Sequence, residues 1–194
     1  MSIIGADGRL TPALFLDRDG VINRDTGYVG RVEEFEFIPG IFQLVRFAHE
    51  KLGWPVIVTT NQSGIGRELF DEATYQKLTD WMCERFCAEG APLSAVYHCP
   101  YHPEHGVGRY KREHPWRKPQ PGMMLQAATD HDIGLAGSVL IGDGERDMAA
   151  GAAAGIGLLV RLDPEGRAAP APGQYVVRNL AEALELLKNR FISP

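Results

Sequence analysis

Short apolar runs that each stop on a carboxylate, a hydroxyl or an amide constrain this chain more than any other feature. Residues 13–16 stop at Asp17, residues 55–60 run through Thr60 to Asn61, and residues 138–142 stop at Asp143. Runs of this length, rich in Val, Ile and Leu, read as buried strands. Amphipathic stretches separate them. Residues 41–52 carry apolar side chains at 41, 44, 45, 48 and 52, a helical spacing, and residues 71–89 place Tyr75, Leu78, Met82 and Phe86 on one face. Residues 95–98 and 157–162 read as further strands. Residues 121–132, with proline at the start, read as helix, as do 145–154 and 178–190. This βαβα order predicts an α/β, Rossmann-like parallel sheet with helices on both faces. The stretches 100–121 and 164–173 fall outside the pattern and read as loops. No insertion is long enough to form a separate lid, so one domain with a minimal cap is expected over residues 1–194.

Bulk composition narrows the function classes. The chain has 194 residues, 44% of them hydrophobic and 23% charged, and a formal net charge of −5. That balance speaks against general binding of nucleic acid or anionic membranes, and an anionic substrate would need a local cationic pocket. No apolar run is long enough to span a bilayer, and the first residues do not resemble a secretory signal. The three cysteines, Cys83, Cys87 and Cys99, form no disulfide framework. A cytoplasmic monomer is expected. Cys83 and Cys87, one helical turn apart, are expected to pack, and Met123 and Met124 to lie in the core.

Ligands of open α/β sheets bind at the carboxyl ends of the strands. Those ends carry Asp17-Arg18-Asp19-Gly20, then Thr60-Asn61-Gln62-Ser63-Gly64, then Gly142-Asp143 with Asp147 four residues on. Each alone reads as a turn or a helix cap. Their occurrence in order, each after a strand, predicts converging carboxylates and a hydroxyl. Close carboxylates repel unless a cation sits among them, and an all-oxygen set favours Mg²⁺. Lys118 opens a helix between two strands, which places its ammonium at the same sheet edge.

These residues resemble the haloacid dehalogenase superfamily of phosphatases. Asp17-Arg18-Asp19-Gly20-Val21-Ile22-Asn23, Gly27-Tyr28-Val29, Phe35-Glu36-Phe37, Thr60-Asn61-Gln62-Ser63-Gly64-Ile65 and Arg117-Lys118-Pro119 with Pro121-Gly122-Met123 are similar to the bacterial D-glycero-D-manno-heptose 1,7-bisphosphate 7-phosphatases. The histidinol-phosphate phosphatases share much of the pattern. The resemblance implies that Asp17 attacks phosphorus to give an aspartyl phosphate and that Asp19 serves as acid, then base. It implies Mg²⁺ on Asp17, the carbonyl of Asp19 and Asp143. Thr60 and Lys118 would stabilise the transferring phosphoryl group. Asp25, Thr26, Gly27, Tyr28, Asn61, Gln62 and Ser63 would line the substrate pocket, and Arg117 would recognise a distal phosphate. The partner implied is a small phosphorylated sugar on the route to nucleotide-activated heptose and lipopolysaccharide.

Two departures from the family stand out. Its zinc loop, Cys-x-His then Cys-x-Cys, reads here Cys99, Tyr101, His114 and Trp116, so the usual four-ligand site cannot form. Cys99, His102 and His114, with His98 and His105 nearby, have the chemistry of a replacement tetrahedral zinc site, but the reading adopted is of ordinary loop histidines. Gly144 stands where the family has a lysine that touches substrate, and Arg146 could cover the lost charge. Other readings are a histidinol-phosphate or other small phosphomonoester phosphatase, a phosphosugar sensor without turnover, and a phospho-accepting signalling domain. Neither of the last two needs an acid/base two residues after the phosphoacceptor, and Asp19 stands there.

Overall fold

In the computed structural model, which describes residues 10–192, six strands form one wholly parallel sheet. In chain order these are β1 (Leu14–Leu16), β2 (Val56–Asn61), β3 (Ala95–Cys99), β4 (Val139–Gly142), β5 (Leu158–Leu162) and β6 (Gln174–Val177). Their spatial order is β3-β2-β1-β4-β5-β6, so the chain reverses direction of growth between β1 and β4. A crevice opens at that switch point, beyond the strand ends. Registers Leu14↔Val56 and Leu14↔Val139 set the ends of β1, β2 and β4 side by side.

Period-two alternation divides the core into two layers. Leu14, Leu16, Val56, Val58, Val139 and Ile141 face one side, where they meet α1 (Ile41–Leu52), α3 (Glu72–Ala88) and α6 (Leu180–Phe191) through Leu44, Leu78, Phe86 and Leu187. Phe15, Ile57, Leu140 and Leu159 face the other, against α4 (Gly122–Asp130) and α5 (Glu145–Ala154) through Met124, Ala127 and Met148. Helices on both faces are the architecture expected. Met123 and Met124 are buried as expected. α3 begins with Asp71 accepting from Thr74 N–H at 2.7 Å, an N-cap that satisfies a donor the helix leaves free.

Three details differ from the sequence reading. Residues 174–177 carry no assignment in the sequence reading; they form β6, a strand that extends the sheet at its edge, with only Val177 of its four residues buried. A single helical turn, α2 (Ser63–Gly66), directly follows β2. Cys83 packs against the larger core layer, but Cys87 is exposed and packs nothing into the core. Among the described residues no helix is long and apolar enough to cross a membrane.

Candidate active site

A cleft of about 1050 Å³ opens at the switch point and is lined by Asp17, Asp19, Thr60, Lys118 and Asp143 together with Asp147. Asp17 stands directly after β1. Its Oδ1 accepts from the Arg18 N–H at 2.7 Å and meets Lys118 Nζ at 2.9 Å, while Oδ2 makes no hydrogen bond among the described residues. Lys118 is 3% exposed; its Nζ also meets Asp147 Oδ1 at 2.5 Å and donates to Thr59 O at 2.8 Å. Asn61 fixes that lysine from β2: its amide donates to Lys118 O and accepts from Lys118 N–H, both at 3.0 Å.

Asp17, Asp143 and Asp147 each present an oxygen within 4.8 Å of the others. Gly20 makes this approach possible. Its φ is +84°, and a Cβ there would lie 2.1 Å from Asp143 Oδ2. Burial pushes the Asp17 carboxyl well above its ordinary value, Lys118 opposes that, and Asp147, Asp143 and Asp19 add to it. Burial, then Asp147, push Asp143 up to about 6. Burial works against the charge on Lys118, but Asp17 and Asp147 outweigh it and hold the ammonium above its ordinary value. Crowded, proton-hungry oxygens beside one ammonium are the donor set of a hard divalent cation, so the residues present fit Mg²⁺.

Asp19 is turned from that cluster. Its carboxylate accepts from Arg18 Nε and Nη2 at 3.2 and 2.9–3.0 Å, from Asn23 Nδ2 at 3.0 Å and from Gln62 Nε2 at 2.8 Å. Arg18, 1% exposed, lies between the rings of Phe35 and Tyr75, with its Cζ 6.0 and 5.9 Å from their centroids. Sequence reasoning passed over Arg18 and Asn23, because a charged residue beside a nucleophile reads as surface. Gln62 also donates to Thr60 Oγ1 at 2.9 Å. It links the acid/base candidate to the hydroxyl expected to touch phosphate.

Of the expected pocket residues, Asp25, Gly27, Tyr28, Asn61, Gln62, Ser63 and Arg117 line the cleft, and Thr26 does not. Asn61 and Gln62 spend their amides on Lys118 and Asp19, so they position the machinery. Arg117 Nη1 donates to Tyr101 O at 3.1 Å. Burial pushes its guanidinium down, and Arg146 and Arg67 push the same way. Arg67 also lines the cleft; sequence reasoning missed it, although it stands three residues after the Thr60–Gly64 segment.

The structure does not bring the zinc candidates Cys99, His102 and His114 together. The carboxylate cluster is the one group of three metal-ligand side chains in range of each other among the described residues. His102 Nδ1 accepts from Glu104 and His105 N–H at 3.2 Å, and His114 Nδ1 accepts from Trp116 N–H at 3.1 Å. The His114 ring instead stacks on Tyr101, with centroids 4.3 Å apart and planes at 18°, and Arg112 covers Tyr101 at 4.3 Å. By the resemblance, the rings of His114 and Trp116 stand in place of two thiolates and that of Tyr101 in place of a histidine.

A family model described as HAD-hydrolase-like matches residues 115–183. The chain is 50% identical over 176 residues to the D-glycero-alpha-D-manno-heptose-1,7-bisphosphate 7-phosphatase of Burkholderia mallei, covering 90% of this chain and 93% of that one. It is 47% identical over 152 residues to the D-glycero-beta-D-manno-heptose-1,7-bisphosphate 7-phosphatase of Vibrio cholerae, covering 77% and 81%. Among solved structures, the D,D-heptose 1,7-bisphosphate phosphatase of B. bronchiseptica, complexed with magnesium and phosphate, superposes with a TM-score of 0.79 at 32% identity, covering 91% of this chain and 97% of that one.

Proposed function

The chain belongs to the haloacid dehalogenase-like phosphatases, among the D-glycero-D-manno-heptose-1,7-bisphosphate 7-phosphatases, and from that premise we propose that it hydrolyses the 7-phosphate of this heptose bisphosphate through an aspartyl phosphate on Asp17. The observation that carries the reading is the Asp17–Lys118–Asp147 arrangement at the switch point, with Arg117 in the same cleft. Asp17 Oδ1 is pinned by the Arg18 N–H and the Lys118 ammonium, which leaves Oδ2 for in-line attack on phosphorus. Asp147 holds Lys118 in place, and Lys118 and Thr60 meet the equatorial oxygens whose charge grows in the transition state.

Asp19 supplies the proton that the sugar alkoxide takes as the P–O bond breaks, then removes one from the water that attacks the aspartyl phosphate. Its resting bonds to Arg18, Asn23 and Gln62 hold the carboxylate ready beside Thr60. Asp17, Asp143 and the carbonyl of Asp19 would hold Mg²⁺, whose chemistry is to neutralise charge on the attacking and departing oxygens. Zinc has no place in this account, and a cytoplasmic monomer of a single domain is the accompanying reading.

Steady-state kinetics with Mg²⁺ on both anomers of the heptose bisphosphate, histidinol phosphate and fructose 1,6-bisphosphate test the assignment. A kcat/KM for one heptose anomer well above the others is the expected result. The highest value on histidinol phosphate would overturn the substrate, though not the phosphatase chemistry.

A further inference from the structure

Arg67 has no role in the reaction described above, and three observations give it one. Its Nε is buried and has no hydrogen-bond partner. Buried donors in folded proteins are nearly always paired, so an unpaired guanidinium N–H beside a cleft points to an acceptor that arrives with a ligand.

The second observation is the brace that holds the side chain. The Tyr28 ring lies over Arg67, with the guanidinium carbon 5.4 Å from the centroid. Tyr28 itself has φ +53°, a left-handed conformation uncommon for an aromatic residue, and follows Gly27, whose N–H donates to Asp25 Oδ1 at 2.9 Å. Backbone strain of this kind is kept where function requires it. Gly64 lies against the same ring: a Cβ there would stand 3.3 Å from Tyr28 Cδ1 and 2.5 Å from Phe70. The turn therefore holds the ring against the guanidinium, an arrangement that fixes the plane of a group suited to planar contact with an anion.

The third observation is charge. Arg67, Arg117 and Arg146 line one cleft. Among the described residues none of the three guanidinium groups is in an ion pair: Glu104 meets His105, Glu145 pairs with Arg161, and Asp25 and Glu113, which line the same cleft, pair with none of them. Like charges gathered without a matching counter-ion are a site for a dianion.

We propose that Arg67, braced by Tyr28, joins Arg117 in binding the distal phosphate of a sugar bisphosphate and sets the preference for a bisphosphate over the corresponding monophosphate. The proposal rests on the reading of the site as a bisphosphate phosphatase. Its test is kcat/KM of wild type, Arg67→Met and Arg67→Lys on heptose 1,7-bisphosphate and on heptose 7-phosphate, with Mg²⁺ present. Arg67→Met keeps the packing against Tyr28 and removes the charge. It loses roughly ten- to a hundredfold on the bisphosphate and less than about threefold on the monophosphate. Arg67→Lys, with charge but no fork, falls between. Equal losses on both substrates, or no loss on either, overturn the role of Arg67 while a wild-type preference for the bisphosphate leaves the function standing. A wild type that does not distinguish the two substrates overturns the bisphosphate reading itself, and the proposal with it.

Discussion

Replacing Lys118 with methionine keeps the length of the side chain and removes the one cation that touches both Asp17 and Asp147. Breaking a buried ion pair on one side costs about 3–5 kcal/mol. Here the cleft admits water to the Asp17 side chain, which is 13% exposed, so the lower end, about 3 kcal/mol, is the expectation. For a chain of this length that lowers Tm by roughly 6–12 °C. The pH dependence has a definite sign. Lys118 lowers the proton affinity of Asp17 and Asp143, whose folded-state values already lie above the ordinary 3.8. Its removal raises both further. Groups with raised folded-state values give stability that is present at low pH and lost as pH rises through those values. In wild type Asp143 does so near pH 6, so the deficit of the variant is small at acidic pH and widens above about pH 6. Differential scanning calorimetry of metal-free protein from acidic to mildly basic pH, repeated with saturating Mg²⁺, measures all of this. Mg²⁺ replaces the missing charge, so it raises the Tm of Lys118→Met more than that of wild type. Equal melting of the two proteins without metal, or equal Mg²⁺ shifts, would refute the reasoning.

Gly20→Ala forces a Cβ into Asp143 Oδ2 at a backbone angle that alanine rarely adopts; it should destabilise the fold by about 1–2 kcal/mol from the angle alone and abolish the Mg²⁺-dependent Tm shift, and an unchanged shift would show that Asp143 is not a ligand. Asp19→Asn should lose about 10²–10⁴ in kcat/KM on the sugar phosphate and far less on p-nitrophenyl phosphate, whose leaving group needs no proton; equal losses in a phosphorylation-limited regime would contradict the acid role. Elemental analysis should find well below one zinc per chain and no change in Tm on chelation in the presence of Mg²⁺, because Tyr101, His114 and Arg112 hold the loop by stacking; stoichiometric zinc with unfolding on its removal would show the opposite.

The sheet and its helices were legible because short buried apolar runs alternate with stretches of helical spacing. The two core layers were not: Leu14, Phe15 and Leu16 are all apolar, and only the folded strand sends Phe15 to the opposite face. β6 was not legible: four residues at a sheet edge with one buried side chain carry almost no pattern. The strand-end carboxylates were legible because parallel strands bring their ends together. What those neighbours do for one another was not. Asn61 clamps Lys118 across 57 positions, and Gln62 reaches Asp19 across 43, and neither partnership has a local signature. Arg18 is the extreme case. Phe35 and Tyr75, folded in from later segments, and the Val29 carbonyl make a buried cation out of a residue that by itself reads as solvated.

The claim on which the mechanism stands is that Asp17 carries the phosphoryl group. Borohydride trapping of acid-quenched protein, followed by peptide mass spectrometry, reads it directly when Asp19→Asn turns over p-nitrophenyl phosphate with Mg²⁺, since loss of the base slows hydrolysis of the intermediate. The account predicts modification at Asp17 and at no other residue, and none in the Asp17→Asn, Asp19→Asn double variant. Phosphatase activity retained in Asp17→Asn, or a trapped group on any other side chain, would contradict it.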